Sequence, residues 1–416
     1  MKCLLILLMI AAPLWARESS APRELPVAAP EDFGLSPAKL ARIGPAVTSL
    51  IEERKLAGAS VMVLRRGHVV YRRNFGHRNR ALEQPVEDDT IFRIYSMTKA
   101  ITSAAVMMLV EEGQIGLDDP AAKFIPPLAG VKVWTKDGEV DPDRPPTVRD
   151  LLRHTSGYSY GWGPHPVDKA TQKADPLDRG HSLEELGQRA GAIPLRFQPG
   201  TAWHYGISTD LLGRVVEVAS GRPFDRFLQD RLFDPLDMRD TGFHVPARKK
   251  ARFSVVYGGS GGKPLVPVEP VSTSRFLKKP KNLSGGGGLV STIRDYARFL
   301  QMIANGGEFQ GRRYLRSGSV ALMTTDQLPG GIGHISLGPE ARLGVGFGLG
   351  FCVRTADSTW DPAARIGEFG WGGMASTHYW VSPRDQLVVI TMEQTLPFNW
   401  NLERAVKPLV YDALVK

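Results

Sequence analysis

Ser96-Met97-Thr98-Lys99-Ala100-Ile101-Thr102-Ser103-Ala104-Ala105-Val106-Met107-Met108-Leu109 is the stretch from which the rest of the chain is read. Ala100, Ile101, Ala104, Ala105, Met108 and Leu109 recur at helical spacing, and Gly113 closes the run. A helix this apolar belongs in a core. Its mouth then carries a hydroxyl and an amine, Ser96 and Lys99, three residues apart on one helix face. Burial disfavours an ammonium, and the free amine is the form that takes a proton from serine. The stretch predicts a buried central helix with an activated nucleophile at its start.

Upstream of this stretch, Ala59 to Leu64 and Val69 to Asn74 are short β-rich runs around Arg65-Arg66-Gly67-His68, the pattern of a hairpin. The far end mirrors it, with Thr377 to Val381, a turn at Ser382-Pro383-Arg384-Asp385, Leu387 to Met392, and a last helix through Leu402, Val406, Leu409, Val410 and Leu414. Near the start, Ser36-Pro37 opens a helix through Leu40, Ile43, Val47 and Leu50-Ile51. Strands at both ends and helical patterns between them predict a mixed α+β fold: one antiparallel sheet built from both termini, flanked by N- and C-terminal helices, with a mainly helical region inserted. The ranges are 34–95 and 285–416 for the sheet region and 96–284 for the helical region. Helical patterns follow Thr147, follow Ser182 with Glu185 completing a capping box, and run from Asp210 to Ser220 and from Phe224 to Phe233. Residues 248–284, basic and rich in Gly, Pro, Ser and Lys, are expected to form a long loop.

Residues 1–21 carry Lys2, the apolar run Cys3 to Ala12, then Pro13 and small-residue exits at Ala16 and Ala21. This is the layout of a signal peptide, too short for a comfortable bilayer span; an uncleaved anchor is the alternative. Export to the periplasm or the medium is expected, with residues 22–33 as a flexible lead-in and no membrane span after leader removal. Cys352 would then be the only thiol, so no intramolecular disulfide can form. The net charge of +9 gathers partly in Arg248-Lys249-Lys250, Arg252, Lys278-Lys279 and Lys281. Weak contact with an anionic wall or surface fits that charge. No nucleic-acid motif accompanies it, and a solvated loop is the simpler reading.

Ser-x-x-Lys alone is a weak signal, and a second copy, Ser36-Pro37-Ala38-Lys39, reads as a helix cap. Gly258-Gly259-Ser260-Gly261-Gly262 meets the Gly-x-Ser-x-Gly pattern, but Lys263-Pro264 follows where a helix should begin. Two further constellations matter. Gln198-Pro199-Gly200 turns the chain toward Tyr205, whose phenol beside an ammonium can relay a proton. Gly370-Trp371-Gly372-Gly373-Met374 leads into a strand, where paired glycines admit a substrate close to the backbone and an edge amide can face a developing oxyanion. Asp210 is either a helix N-cap, the plainer reading, or an orienting group for Lys99 and Tyr205. His154 and His204 read as structural, no histidine pair has metal-ligand spacing, and no phosphate-cradling or dinucleotide fingerprint occurs. No metal and no cofactor are expected.

Ser96-x-x-Lys99, Tyr205 after Pro-Gly, and Trp371-Gly372-Gly373 stand in the order of the serine β-lactamase and penicillin-binding-protein superfamily, and the chain most resembles its class C β-lactamase-like esterases, the family VIII carboxylesterases. The resemblance covers nearly all of the mature chain, including Leu151 to Gly157, Asp234 to Met238 and Gly285 to Leu289. It implies a β-lactamase/transpeptidase-like fold with Ser96 as acyl-forming nucleophile. Lys99 and Tyr205 would share general-base and general-acid duty, and the backbone N–H groups of Ser96 and Met374 would form the oxyanion hole. Two departures from the superfamily pattern stand out. Tyr205-Gly206-Ile207 replaces the Tyr-x-Asn of many relatives, and Trp371-Gly372-Gly373 replaces Lys-Thr-Gly, removing a cation that grips a substrate carboxylate. A charge-assisted hydrogen bond of that kind is worth roughly 1.5–3 kcal/mol.

Trp371, with Gly372 and Gly373, offers instead an apolar wall for an uncharged acyl or alcohol group. The reading is therefore an exported serine hydrolase that cleaves carboxylic esters through a covalent acyl-enzyme, acting on a small-molecule ester or lactam. Its alternatives are a β-lactamase or D-amino-acid peptidase acting on cell-wall-type substrates, and a non-catalytic wall-binding module.

Overall fold

The computed structural model describes residues 24–259 and 264–415; the leader and Ser260 lie outside them. Ser36 accepts a hydrogen bond from the Lys39 amide and caps α1 (Pro37–Ala41), which is followed by α2 (Ile43–Glu52). The hairpin β1 (Gly58–Arg65) and β2 (His68–Asn79) comes next, then β3 (Gln84–Pro85), α3 (Thr98–Glu111), α4 (Ser208–Ser220) and α5 (Ile293–Ala304). Strands β4 (Val345–Phe347), β5 (Cys352–Arg354), β6 (Phe369–Gly373), β7 (Thr377–Ser382) and β8 (Leu387–Met392) lead to α6 (Asn401–Asp412). They form one eight-stranded sheet in the order β4-β5-β6-β7-β8-β1-β2-β3. Neighbours are antiparallel, and the β1–β8 pairing joins the two ends of the chain.

Register sorts the side chains of the central strands onto two cores. Met62 opposite Ile390 and Leu64 opposite Val388 face the large core with α3 and α5. Val61 opposite Thr391 and Val63 opposite Val389 face the smaller core, closed by α2 and α6. Because helices cover both faces, Val61–Leu64 in β1 and Leu387–Ile390 in β8 are continuous apolar runs, without alternation.

Helix α3 is buried from Thr98 to Leu109, with apolar contacts on every side. Its polar groups at positions 98, 99 and 102 share one face and are satisfied by one backbone segment. The Leu289 amide donates to Thr98 Oγ1 (3.2 Å), Thr102 Oγ1 donates to the Gly285 carbonyl (2.7 Å), and Lys99 Nζ donates to the Gly286 carbonyl (2.7 Å). Leaving any of these buried groups unpaired would cost about 1–3 kcal/mol. The α3 sequence thereby fixes the glycine run Gly285–Gly288 against the mouth of the helix.

Two stretches differ from the sequence expectation. Residues 24–33 are held on the sheet edge, because Val27 bridges Val69 and Pro30–Phe33 form a 3₁₀ turn. Residues 248–284 are not one loop. Ala247–Arg252 form a 3₁₀ helix, and the β-branched runs Val256–Gly258 and Val266–Glu269 pair with each other, while the first also pairs with Thr395–Leu396. Several of the basic side chains are matched by acids: Lys249 and Arg252 by Asp240, and Lys279 by Asp225. Among the described residues no helix is long and apolar enough to cross a membrane.

Candidate active site

The backbone around Ser96 is held from several directions. Phe92 and Arg93 pair with Ser291 and Val290, and the Ile94 amide donates to the Leu289 carbonyl (3.1 Å). Tyr95 has φ +40°, a conformation that costs a non-glycine residue roughly 1–3 kcal/mol and persists only where the surroundings impose it. Its ring packs edge-on against Phe276, and its hydroxyl donates to Glu269 (3.4 Å). The 3₁₀ turn Tyr95–Met97 then presents Ser96, half-buried, directly before α3.

Lys99 is fully buried. Its Nζ lies 3.3 Å from Ser96 Oγ, 2.9 Å from the Tyr160 hydroxyl and 2.7 Å from the Gly286 carbonyl. Tyr160 donates to Asp210 Oδ2 (3.2 Å), and Asp210 Oδ1 accepts from Ser284 Oγ (2.5 Å) and the Gly286 amide (3.0 Å). Burial, reinforced by the Asp210 charge, raises the Tyr160 phenol well above its ordinary range, which keeps it protonated. Burial also raises the Asp210 carboxyl, against the opposing pull of Lys99 and of the bonds from Ser284 and Gly286. A Cβ at residue 286 would overlap Asp210 Oδ2 and lie 2.7 Å from the Tyr160 hydroxyl, so glycine is required there by packing.

Tyr205 joins the group from the other side. Its ring centroid is 4.5 Å from Lys99 Nζ, and its hydroxyl accepts from Trp371 Nε1 (3.2 Å). Tyr160, Trp203 and Trp371 surround it at centroid distances of 5.2, 6.0 and 5.4 Å, and the exposed Trp162 stacks on Tyr160 at 4.6 Å. These rings, with Ser96, Gly372, Gly373 and Met374, wall an open cavity of about 750 Å³. The glycine pair serves internal packing as well as access: a Cβ on Gly373 would overlap the Ile94 carbonyl, and one on Gly372 would lie 2.6 Å from the His378 ring. That contact holds the end of β6, and the Met374 amide after it, beside the Ser96 turn.

Sequence reasoning missed Tyr160, the phenol that Lys99 bonds directly. It sits in the irregular segment Gly157–Gly163, where no periodicity marks it; the local excess of Tyr, Trp and Gly is the one signal available. The N-cap reading of Asp210 is corrected. Helix α4 begins at Ser208 with Ile207 as its cap, so Asp210 falls in the first turn and turns inward to Ser284, Gly286 and Tyr160. Of the two orienting partners expected for it, it reaches neither Lys99 nor Tyr205 by a direct bond but acts on Lys99 through Tyr160. His154 is buried against Tyr205 with Nε2 3.3 Å from Thr209 Oγ1, and burial holds its pKa well below the usual value. His204 bonds Ser159 (3.2 Å), and burial, then Arg196, lowers its pKa to about 4. Lys39 of the second Ser-x-x-Lys reaches out to Asp412 at the protein surface, away from Ser36.

A family model described as Beta-lactamase matches residues 44–407. Esterase EstB of Burkholderia gladioli is 32% identical over 391 residues, covering 88% of this chain and 93% of EstB. Lovastatin esterase of Penicillium rubens is 30% identical over 391 residues, covering 86% and 94% of the two chains. Among solved structures, EstCE1, a hydrolase with promiscuous acyltransferase activity, superposes with a TM-score of 0.78 at 23% identity, covering 90% of this chain and 99% of EstCE1, a likeness of fold. With Ser96 and Lys99 joined at the mouth of a buried helix and the match spanning both halves of the sheet, the chain belongs to the Beta-lactamase family and is a serine hydrolase of that family.

Proposed function

We propose that this protein is an exported esterase that hydrolyses carboxylic esters of short to medium acyl length through an acyl-enzyme on Ser96. The observation that carries the reading is the 3.3 Å approach of the buried Lys99 amine to Ser96 Oγ inside a cavity walled by Trp371. The Gly286 carbonyl and the Tyr160 oxygen, whose own proton goes to Asp210, hold the Lys99 amine in place and aim its third contact at Ser96 Oγ. In the forward step Ser96 Oγ attacks the ester carbonyl while Lys99 takes its proton. The oxyanion is met by the amides of Ser96 and Met374. Tyr205, whose oxygen accepts from Trp371, keeps its proton free for the departing alcohol. Water then releases the acid by the reverse sequence.

The named relatives EstB and lovastatin esterase support ester substrates. Trp371 in place of a lysine supports an uncharged group beside the scissile bond and weighs against β-lactams and D-peptides. The test is a panel of p-nitrophenyl acetate, p-nitrophenyl butyrate, nitrocefin and a D-Ala-D-Ala peptide on the purified mature protein. Esters are expected to turn over fastest; faster turnover of nitrocefin or the peptide would replace this reading. Export rests on the layout of residues 1–21 and is tested by fractionation and N-terminal sequencing of the expressed protein. An intact N-terminus on cytoplasmic protein would remove it.

A further inference from the structure

The cavity holds a buried cation that the chemistry at Ser96 does not use. Arg342 ends the small hairpin Ile335–Leu337/Glu340–Arg342, is only 1% exposed, and lines the same cavity as Ser96. Its guanidinium carbon stands 4.4 Å from the ring of Trp360, 5.0 Å from Trp400 and 5.7 Å from Trp371. Its carboxylate partner, Glu340, sits 3.2 Å from Nη2 and 3.4 Å from Nε. Glu340 is 40% exposed and also accepts from Trp360 Nε1 (2.8 Å). Among the described residues, Arg342 Nη1 has no hydrogen-bond partner.

Another fully buried arginine is completely engaged. Arg93, just as buried, engages every nitrogen: Nε with Glu269 (3.0 Å), Nη1 with the Ser254 carbonyl (2.7 Å) and Nη2 with Ser274 (2.8 Å). Arg196, the other arginine of the cavity wall, is paired at 2.9 Å with Asp168, itself buried. Arg342 thus combines a costly desolvation with an unfinished donor fork that faces a substrate-sized space.

We infer that Arg342 is an anion anchor of the substrate cavity, taking a carboxylate that the ester carries at the end remote from its scissile bond. This rests on the esterase reading of Ser96. The Trp371 ring neighbours both ends, 5.4 Å from the Tyr205 ring and 5.7 Å from the Arg342 carbon. The reacting ester therefore meets an apolar wall, and the acid group sits beyond one indole. The substrate class that fits is an ester with a free carboxylate several carbons from the carbonyl: a half-ester of a dicarboxylic acid, or an acyl ester of a hydroxy acid. An open guanidinium fork binds such a group bidentately, and the surrounding indole faces hold the fork in place.

The test compares matched charged and uncharged esters: mono-p-nitrophenyl glutarate against p-nitrophenyl butyrate for a carboxylate on the acyl side, and O-acetyl-4-hydroxybutyrate against butyl acetate for one on the alcohol side. In the wild-type protein, one charged ester is expected to show at least a tenfold advantage in kcat/KM, carried by KM. In Arg342→Gln that advantage should fall at least tenfold, with partial recovery in Arg342→Lys. No advantage for either charged ester, or one that survives in Arg342→Gln, overturns the anchor. Should Arg342→Gln fail to fold, inhibition of the wild-type protein decides: glutarate is expected to bind at least tenfold more tightly than 1,5-pentanediol, and equal inhibition overturns the proposal. Calorimetric glutarate binding separates the two readings. A protein that binds glutarate but cleaves no ester loses the esterase reading alone, and one that cleaves esters with no preference for charge loses the anchor alone.

Discussion

Replacing Tyr160 by phenylalanine removes one oxygen from the centre of the Lys99 network and leaves the ring in place. The ring is held by Trp162, stacked at 4.6 Å with planes 13° apart, and by Tyr205 at 5.2 Å, so Tyr160→Phe should seat as the tyrosine does. Two hydrogen bonds are lost: Lys99 to Tyr160 (2.9 Å) and Tyr160 to Asp210 (3.2 Å). Lys99 keeps the Gly286 carbonyl and Ser96, and Asp210 Oδ1 keeps Ser284 and the Gly286 amide, while Asp210 Oδ2 loses the donor it has from Tyr160. The Lys99 bond involves an ionisable partner, a class worth roughly 1.5–3 kcal/mol. If that energy is spent on aiming the amine at Ser96, kcat for p-nitrophenyl butyrate should fall about 10- to 100-fold with KM nearly constant, since each 1.36 kcal/mol is tenfold. Stopped-flow acylation rates measured beside steady-state turnover would locate the loss in the first chemical step. A kcat within twofold of wild type would refute the positioning role of Tyr160. A loss as large as that of Ser96→Ala would mean that Tyr160 itself exchanges protons with the substrate.

Three other outcomes follow from the same geometry. Gly286→Ala should lower ester turnover by roughly 100-fold, because its Cβ displaces Asp210 and Tyr160 and a misplacement of about 1 Å costs on that order; steady-state kinetics near wild type would contradict the packing argument. Trp371→Phe keeps the apolar wall and deletes the indole donor to Tyr205, so kcat should drop about 3- to 10-fold, the worth of one neutral hydrogen bond, and an unchanged kcat would make that contact incidental. Glu393 is fully buried with neither carboxyl oxygen hydrogen-bonded among the described residues, and burial pushes its pKa up to about 8. The folded state thus holds this proton to higher pH than the unfolded chain. Its stabilisation is complete below about pH 4.5 and lost as pH rises toward 8, at about 1.4 kcal/mol per pH unit. Thermal melts of Glu393→Gln should match wild type near pH 4.5 and gain on it progressively up to pH 8; a constant difference across that range would refute the assignment.

The parts of the fold that were legible in the sequence are those whose environment is uniform along the chain. Ala104 to Leu109 is apolar on every helix face because every face is packed, and Leu387 to Ile390 is an unbroken apolar run because helices cover both sides of its sheet. Ser96 and Lys99 were legible because their spacing and the helix after them are local. Tyr205 was found through its Pro-Gly turn and Trp371 through its glycines. The rest of the site is assembled from distant segments in irregular conformations. Tyr160 and Asp210 are separated by 50 residues and meet only in the folded chain, and Gly286, 187 residues from Lys99, contributes a carbonyl that no side-chain pattern can announce. Asp210 misled because an acidic residue at a helix start fits a cap as well as a buried ligand of serine, tyrosine and an amide. Arg342 carried no signal for a similar reason, since an arginine in a short turn-rich hairpin reads as solvent-facing until the indoles around it are placed.

In the proposed reaction Ser96, with its proton removed by Lys99, forms a covalent acyl bond to the substrate. Intact-mass spectrometry of the protein quenched within milliseconds of mixing with p-nitrophenyl butyrate, followed by peptide mapping, would detect that bond. One butyryl group is expected on the peptide containing Ser96 in the wild-type protein and none in Ser96→Ala. Undiminished ester turnover with no adduct, or an adduct mapped to another residue, would contradict it.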